Sequence, residues 1–207
     1  MKPKGKPIKW DSNIAYAVGL ITTDGNLSPD GRHICMVSND IQLLETFRNC
    51  LNLSNKICPK RSGYTGLETS HKIQFGNVIF YKWLLDLGLT PKKSKTINNL
   101  KIPDEYFFNF LRGHLDGDGY IRKYQDKVFP KSQRLYLNFY SASAMHLQWL
   151  QKSIKNLSGA NGKISKKTNE YVLIYAKKES LKLIPLIYPN KNVPRLQRKY
   201  EIVKEFI

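Results

Sequence analysis

The chain has 207 residues, 41% of them hydrophobic, with 34 Lys and Arg against 16 Asp and Glu, a formal net charge of +18. That length and apolar content suffice for one large domain or two small fused ones, and so large a positive excess points to nucleic acid rather than to solubility alone. Residues 1–100 hold 14 basic and 7 acidic side chains (+7) and residues 101–207 hold 20 and 9 (+11), so a basic tail on a neutral domain is excluded; with no apolar run of about 18 residues and no signal-peptide pattern, a membrane partner is not expected.

Residues 1–9, MKPKGKPIK, read as a flexible basic arm. Asp11 or Ser12 caps a first helix that runs to about Asp24. Gly25 to Ser28, a turn at Ser28-Pro29-Asp30-Gly31, and Arg32 to Val37 form a hairpin. Ser38-Asn39-Asp40 opens a second helix with Ile41, Leu44, Phe47 and Leu51 at helical spacing. Lys56 to Lys60 and Lys72 to Phe75 form a second hairpin across a long loop, Arg61 to His71. Val78 to Leu87 is a third helix, stopped by Gly88 and Pro91. Residues 90–102 read as a basic linker.

The order then repeats in residues 103–207. Pro103 to Asp118 is a helix. Gly119 to Lys123 and Arg134 to Tyr140 are strands. Ser141-Ala142-Ser143 opens a helix holding Leu147, Leu150 and Ile154. Gly162 to Ser165 and Tyr171 to Ala176 are strands, and Lys178 to Ile187 is a helix ended by Pro189. Val37-Ser38-Asn39-Asp40 echoes Tyr140-Ser141-Ala142-Ser143. The fold class is therefore α+β: two pseudo-symmetric αββαββα halves, residues 10–89 and 103–207, each with a four-stranded antiparallel sheet. A repeat of this length means a duplicated domain rather than a solenoid. Cys35, Cys50 and Cys58 are odd in number and lack CxxC spacing, so they read as core thiols in a reducing, intracellular setting.

Two stretches stand out. Residues 111–119 are Leu-Arg-Gly-His-Leu-Asp-Gly-Asp-Gly, and residues 17–25 are Ala-Val-Gly-Leu-Ile-Thr-Thr-Asp-Gly. Each closes a helix-like apolar run with Asp-Gly, and the two acids, Asp24 and Asp118, are 118 − 24 = 94 residues apart. A mid-helix glycine costs roughly 1 kcal/mol against alanine, so Gly19 and Gly113 need a packing reason. Small residues recur four apart around them, which predicts that the two helices pack closely through these glycines. Asp24 and Asp118 sit at helix C-terminal ends, where an acid is disfavoured. Helices packed side by side would bring both acids together, and a divalent cation would relieve their repulsion.

The second stretch resembles the motif of the LAGLIDADG homing endonucleases, and the first is a looser match that keeps the glycine, the Leu-Ile pair and the terminal Asp-Gly. The resemblance implies a single-chain, monomeric, intron-encoded member. It implies that Asp24 and Asp118 bind Mg²⁺ (or Mn²⁺) with the backbone carbonyls of Thr23 and Gly117. It further implies a double-strand break in double-stranded DNA across the minor groove, with short 3′ overhangs, and a basic residue near each scissile phosphate. Aligning Pro91 with Pro189 nominates Lys93 and Lys191 for that role. The acid two positions before the catalytic one is Asp116 in the second copy and Thr22 in the first, which implies unequal halves and an asymmetric target. The packed halves would form a DNA-binding saddle, with base or phosphate contacts from Arg32, Arg61, Tyr64, His71, Gln74, Arg122, Lys123, Gln125, Arg134, Asn138, Lys166, Lys167 and Asn169. An RNA maturase acting on an intron, or a non-cleaving DNA-binding regulator, is the alternative on the same fold.

Overall fold

The two helices at the middle of the molecule are buried on every side, as central helices are. The first, α1 (Ser12–Thr23), is buried from Ala15 to Thr22, and α4 (Phe107–Asp116) from Phe110 to Asp116. Asp11 caps α1 by accepting the Ile14 N–H at 2.7 Å. The structure, a computed structural model, describes residues 7–61, 66 and 68–207.

Between the two central helices the chain makes β1 (Gly25–Leu27), β2 (His33–Ser38), α2 (Ile41–Cys50), β3 (Ile57–Arg61), β4 (Glu68–Gly76) and α3 (Val78–Leu87). After α4 come β5 (Tyr120–Gln125), β6 (Gln133–Ser141), α5 (Ala144–Ser158), β7 (Lys163–Lys166), β8 (Tyr171–Tyr175), α6 (Lys177–Ile187) and α7 (Gln197–Val203). The sheets have the same topology, β1-β2-β4-β3 and β5-β6-β8-β7, and every pairing is antiparallel. Each sheet turns one face to the helices. Ile34, Met36, Ile73 and Phe75 fill the first covered face, and Leu135, Leu137, Phe139 and Leu173 the second. The other faces are open.

The helix pair depends on its two glycines. A Cβ on Gly19 would lie 2.2 Å from the Phe110 carbonyl oxygen, and one on Gly113 would lie 2.1 Å from that of Tyr16. Backbone stands where a side chain would be, so α1 and α4 touch along their main chains.

Several sequence expectations are corrected. The second motif helix is not one piece from Pro103 to Asp118: a 3₁₀ turn at Asp104–Tyr106 precedes α4, which ends at Asp116. β4 starts at Glu68, so the loop after β3 is shorter than the expected Arg61 to His71. Within residues 90–102, Lys93, Ile97 and Leu100 are buried. The helix α7 was not anticipated. Cys50 is a core thiol, but Cys35 is half-buried and Cys58 exposed, because both point to the open face of the first sheet. Residues 1–6 of the basic arm and Tyr64 lie outside the described residues.

Candidate active site and nucleic-acid interface

Asp24 is the C-cap of α1, and its backbone N–H still bonds the Leu20 carbonyl at 2.9 Å. Asp118 lies two residues beyond the end of α4. The two helix ends abut at Gly117, where a Cβ would meet Thr23 Oγ1 at 2.0 Å and Asp24 Oδ2 at 2.9 Å. Asp24, Asp118, Thr23 and Gly117 are thus brought to one place. Burial first, and then the charge on Asp118, push the Asp24 carboxyl up to about 7. Burial also raises Asp118, against the pull of Lys199 and Lys93. Asp118 is open to solvent and yet desolvated by its surroundings, as at the floor of a groove.

Two lysines close the centre. Lys93 is buried and its Nζ donates to the Gly25 carbonyl. Lys199, on α7, is buried and donates to the carbonyls of Leu115 (2.6 Å), Asp116 (2.8 Å), Gly117 (3.0 Å) and Gly119 (2.6 Å). Gly25 and Gly119 follow the two acids, so the lysines occupy matching places in the two halves. A cation at a helix C-terminus offsets the partial negative charge there. Burial lowers both lysines to about 8, against the pull of Asp118 and Asp24 on Lys93 and of Asp116, then Asp24 and Asp118, on Lys199. Lys191 is not brought to this centre: it is exposed, and its carbonyl accepts from Arg195. The Pro91–Pro189 alignment misses Lys199 because α6 is followed by a longer segment than α3 is.

Each acid opens on its own groove. One, about 650 Å³, is lined by Asp118, Thr22, Thr23, Ser94, Asn169 and Glu170 among others. The other, about 710 Å³, is lined by Asp24, Val37, Ser38, Asp40 and Arg198 among others. His114 and His146 lie under the first, with their Nε2 atoms 3.2 Å apart. His146 Nδ1 donates to the Asn98 carbonyl at 2.9 Å, which assigns the shared proton to His114 Nε2. Burial lowers both, His146 to about 4, so the pair is neutral at pH 7.

No family model matches the sequence, and no curated protein matches it. Solved structures do match. The N-terminal LAGLIDADG domain of DUF199/WhiA aligns with 95% of this chain and 87% of its own at 19% identity and TM-score 0.59. The homing endonuclease I-WcaI, described as bound to its DNA recognition sequence, aligns with 92% of this chain and 84% of its own at 13% identity and TM-score 0.62. A variant of I-DmoI, described in complex with its target DNA in the presence of Mn, aligns with 88% and 97% at 16% identity and TM-score 0.56. The chain has the LAGLIDADG fold. Proteins of different description share that fold, so activity must be argued from the site.

In this LAGLIDADG fold the open sheet faces sort the expected nucleic-acid contacts. On β4, alternation from the buried Ile73 and Phe75 sends Gln74 to the open face and His71 to the covered one. Arg32 is exposed in the turn before β2, and Arg61 is exposed but paired with Glu68 at 3.1 Å. On β5, Arg122 shares the open face with Tyr120 and Tyr124. Lys123 and Gln125 alternate to the covered side; Lys123 Nζ bonds Glu205 at 3.0 Å, and Gln125 Nε2 donates to the Pro130 carbonyl. Arg134 is held by Asp126 at 2.5 Å. Asn138 is only 8% exposed and donates to the Tyr120 carbonyl. Lys166 pairs with Tyr171, at the covered side of the strand. Lys167 and Asn169 reach the open side, Lys167 at the tyrosine-lined cavity and Asn169 beside Asp118.

The sequence reading missed the aromatic lining. Tyr120, Tyr124, Tyr136 and Tyr140 line a cavity of about 280 Å³ on the second sheet. Tyr124 and Tyr136 stack at 6.3 Å, and the Arg122 guanidinium lies 4.4 Å from the Tyr124 ring centre. The alternation of Tyr120, Arg122 and Tyr124 along β5 is the signal that marks this face.

Proposed function

We propose that this chain is a site-specific DNA endonuclease, hydrolysing one phosphodiester in each strand of a long, asymmetric duplex. One observation carries the proposal: two carboxyl groups stand at abutting helix ends, near enough for the charge on one to raise the other, with two buried lysines beside them in a body of charge +18. Carboxylates forced together are costly and need a use. The positive body supplies an electrostatic attraction for the phosphate backbone that depends on salt but not on sequence. A relative of the same fold is described as bound to its DNA recognition sequence, which supports the partner.

Mg²⁺ or Mn²⁺ fits the donor set. Asp24 and Asp118 offer oxygen only, with the carbonyls of Thr23 and Gly117 beside them, and no cluster of three or more His, Cys, Asp or Glu is formed among the described residues. Such a sparse oxygen site suits an ion that keeps waters and phosphate oxygens in its shell. A bound ion supplies an activated water and stabilises the leaving oxygen. The chain's own residues supply position and charge. Lys93 gives one N–H to Gly25 and has two more for phosphate oxygens; Lys199 has its three N–H groups shared among four carbonyls, so it acts through its field and by holding the turn. Arg122, Gln74, Lys167 and the tyrosine face contact bases or backbone, and the unlike faces fit an asymmetric target. One copy provides both acids, so a monomer suffices. Among the described residues no helix is long and apolar enough to cross a membrane.

The test is a randomised duplex library incubated with the protein and Mg²⁺. Wild type should give a discrete double-strand product from a subset of sequences, and Asp118→Asn should bind the same sequences and cut none. Equal cutting by both proteins, or no product from wild type, contradicts the proposal.

A further inference from the structure

The second motif helix carries two side chains that do not touch the acid centre and yet hold the segment that does. Arg112 and Asp116 are four apart on α4, and both are completely buried. Arg112 donates to the carbonyls of Ile187 and Pro194, each at 2.8 Å, and to Asn109 Oδ1 at 2.8 Å. Asp116 accepts from Tyr16 Oη (2.8 Å), Tyr188 Oη (2.7 Å) and the backbone N–H of Leu196 (2.7 Å). Leu196 is the N-cap of α7. Three residues on, Lys199 reaches back to the carbonyls of Leu115, Asp116, Gly117 and Gly119, on either side of Asp118. A closed circuit results: Asp116 fixes the start of α7, α7 aims Lys199, and Lys199 clamps the turn that carries Asp118.

Among the described residues the first half has no such circuit. Subtracting 94 from each position puts Val18 and Thr22 where Arg112 and Asp116 stand. Thr22 Oγ1 merely bonds the Val18 carbonyl at 2.8 Å, and Lys93 holds the matching turn through Gly25 alone.

We infer that Asp116 is a positioning residue, which orients Asp118 for cleavage by way of Leu196 and Lys199. The inference rests on the endonuclease reading. It gives the second motif's extra acid a role that the first motif, with threonine there, leaves unfilled.

A double-mutant cycle on the single-turnover cleavage of a library-selected duplex tests it. Asp116→Asn and Lys199→Met should each slow the cleavage step about 10- to 100-fold, as a misplacement of about 1 Å does. Duplex affinity without divalent ion should stay within about twofold. The double variant should be no slower than the slower single one, because both break one circuit. Asp116→Asn combined with Lys93→Met should multiply, because Lys93 lies outside that circuit. Tyr188→Phe, which removes a single bond to Asp116, takes the place of Asp116→Asn if the latter does not fold, with a smaller loss that again does not add to Lys199→Met. Hydrogen exchange on the uncut protein is the readout independent of activity: protection of residues 116–119 and 197–203 should fall in Asp116→Asn. Unchanged protection, or multiplying losses with Lys199→Met, overturns the inference. A wild type that cuts nothing overturns the endonuclease reading, and the exchange data then still decide whether Asp116 positions the turn.

Discussion

Asp24 is a carboxyl that burial and a neighbouring charge hold near neutrality, and this has two consequences. Its ordinary value is 3.8 and its folded value about 7. Between those pH values the folded chain keeps a proton that the unfolded chain has lost, so stability is full below the lower value and falls as pH rises toward the upper one. Asp24→Asn removes that loss. It should raise Tm at pH 8 by roughly 2–6 °C and leave Tm at pH 4 nearly unchanged, by calorimetry. Cleavage should run the opposite way in wild type. At sub-saturating Mg²⁺ it should decline as pH drops below about 7, because the proton and the cation compete for the same carboxylate, and more Mg²⁺ should move the decline to lower pH. The glycines make a second prediction at this scale. A Cβ at Gly113 would sit 2.1 Å from the Tyr16 carbonyl, so Gly113→Ala should cost about 3 kcal/mol or more in urea unfolding. Both acids and both glycines are legible in the sequence, because a repeated spacing singles them out. Lys199 is not. Its place depends on how α7 folds back onto α4, across a segment whose length differs between the halves.

Strands carry the proposed recognition surface, and their alternation decides which side chains stand on its open face. Arg122 lies over the ring of Tyr124, itself stacked on Tyr136. A guanidinium held in this way loses little freedom when it pairs with a base edge. Arg122→Lys keeps the charge but not the two-pronged donor. In a selection from random duplexes it should lose preference for guanine at one position, worth about 1–3 kcal/mol, with the salt dependence of binding unchanged. If Arg122 only meets phosphate, the selected sequence will stay the same. Alternation in residues 135–139 was readable, and Leu135, Leu137 and Phe139 are indeed buried. The same rule separates Lys123 and Gln125 from Arg122, and His71 from Gln74, although all five read as contacts when judged by residue type alone. The element α7 escaped notice because seven residues show too little periodicity, and its burial comes from tertiary contact with Asp116 and the carbonyls of α4.

At the scale of the molecule, the halves are tied by exchanged segments. The stretch after α3 crosses to the start of α5, where Ser143 Oγ bonds the Ile97 carbonyl at 2.5 Å and His146 bonds that of Asn98 at 2.9 Å. The stretch after α6 crosses to the start of α2, where Gln42 bonds the Arg195 carbonyl at 2.8 Å and Arg198 meets Asp40 at 3.0 Å. Each crossing segment brings one lysine to the centre, so halves, straps and acids form one unit. The duplication was visible in element order; the crossings were not, since they depend on contacts more than 40 residues apart in sequence. With a net charge of +18, duplex binding should weaken steeply with salt, with a log–log slope of about −5 to −9. The most direct measurement is a strand-resolved, single-turnover time course in Mg²⁺ for wild type, Asp24→Asn and Asp118→Asn on one selected duplex. If the two carboxylates serve a shared centre, either substitution will slow both strands by at least about 100-fold. If each variant instead leaves one strand cut at the wild-type rate, the carboxylates work separately and the shared centre does not exist.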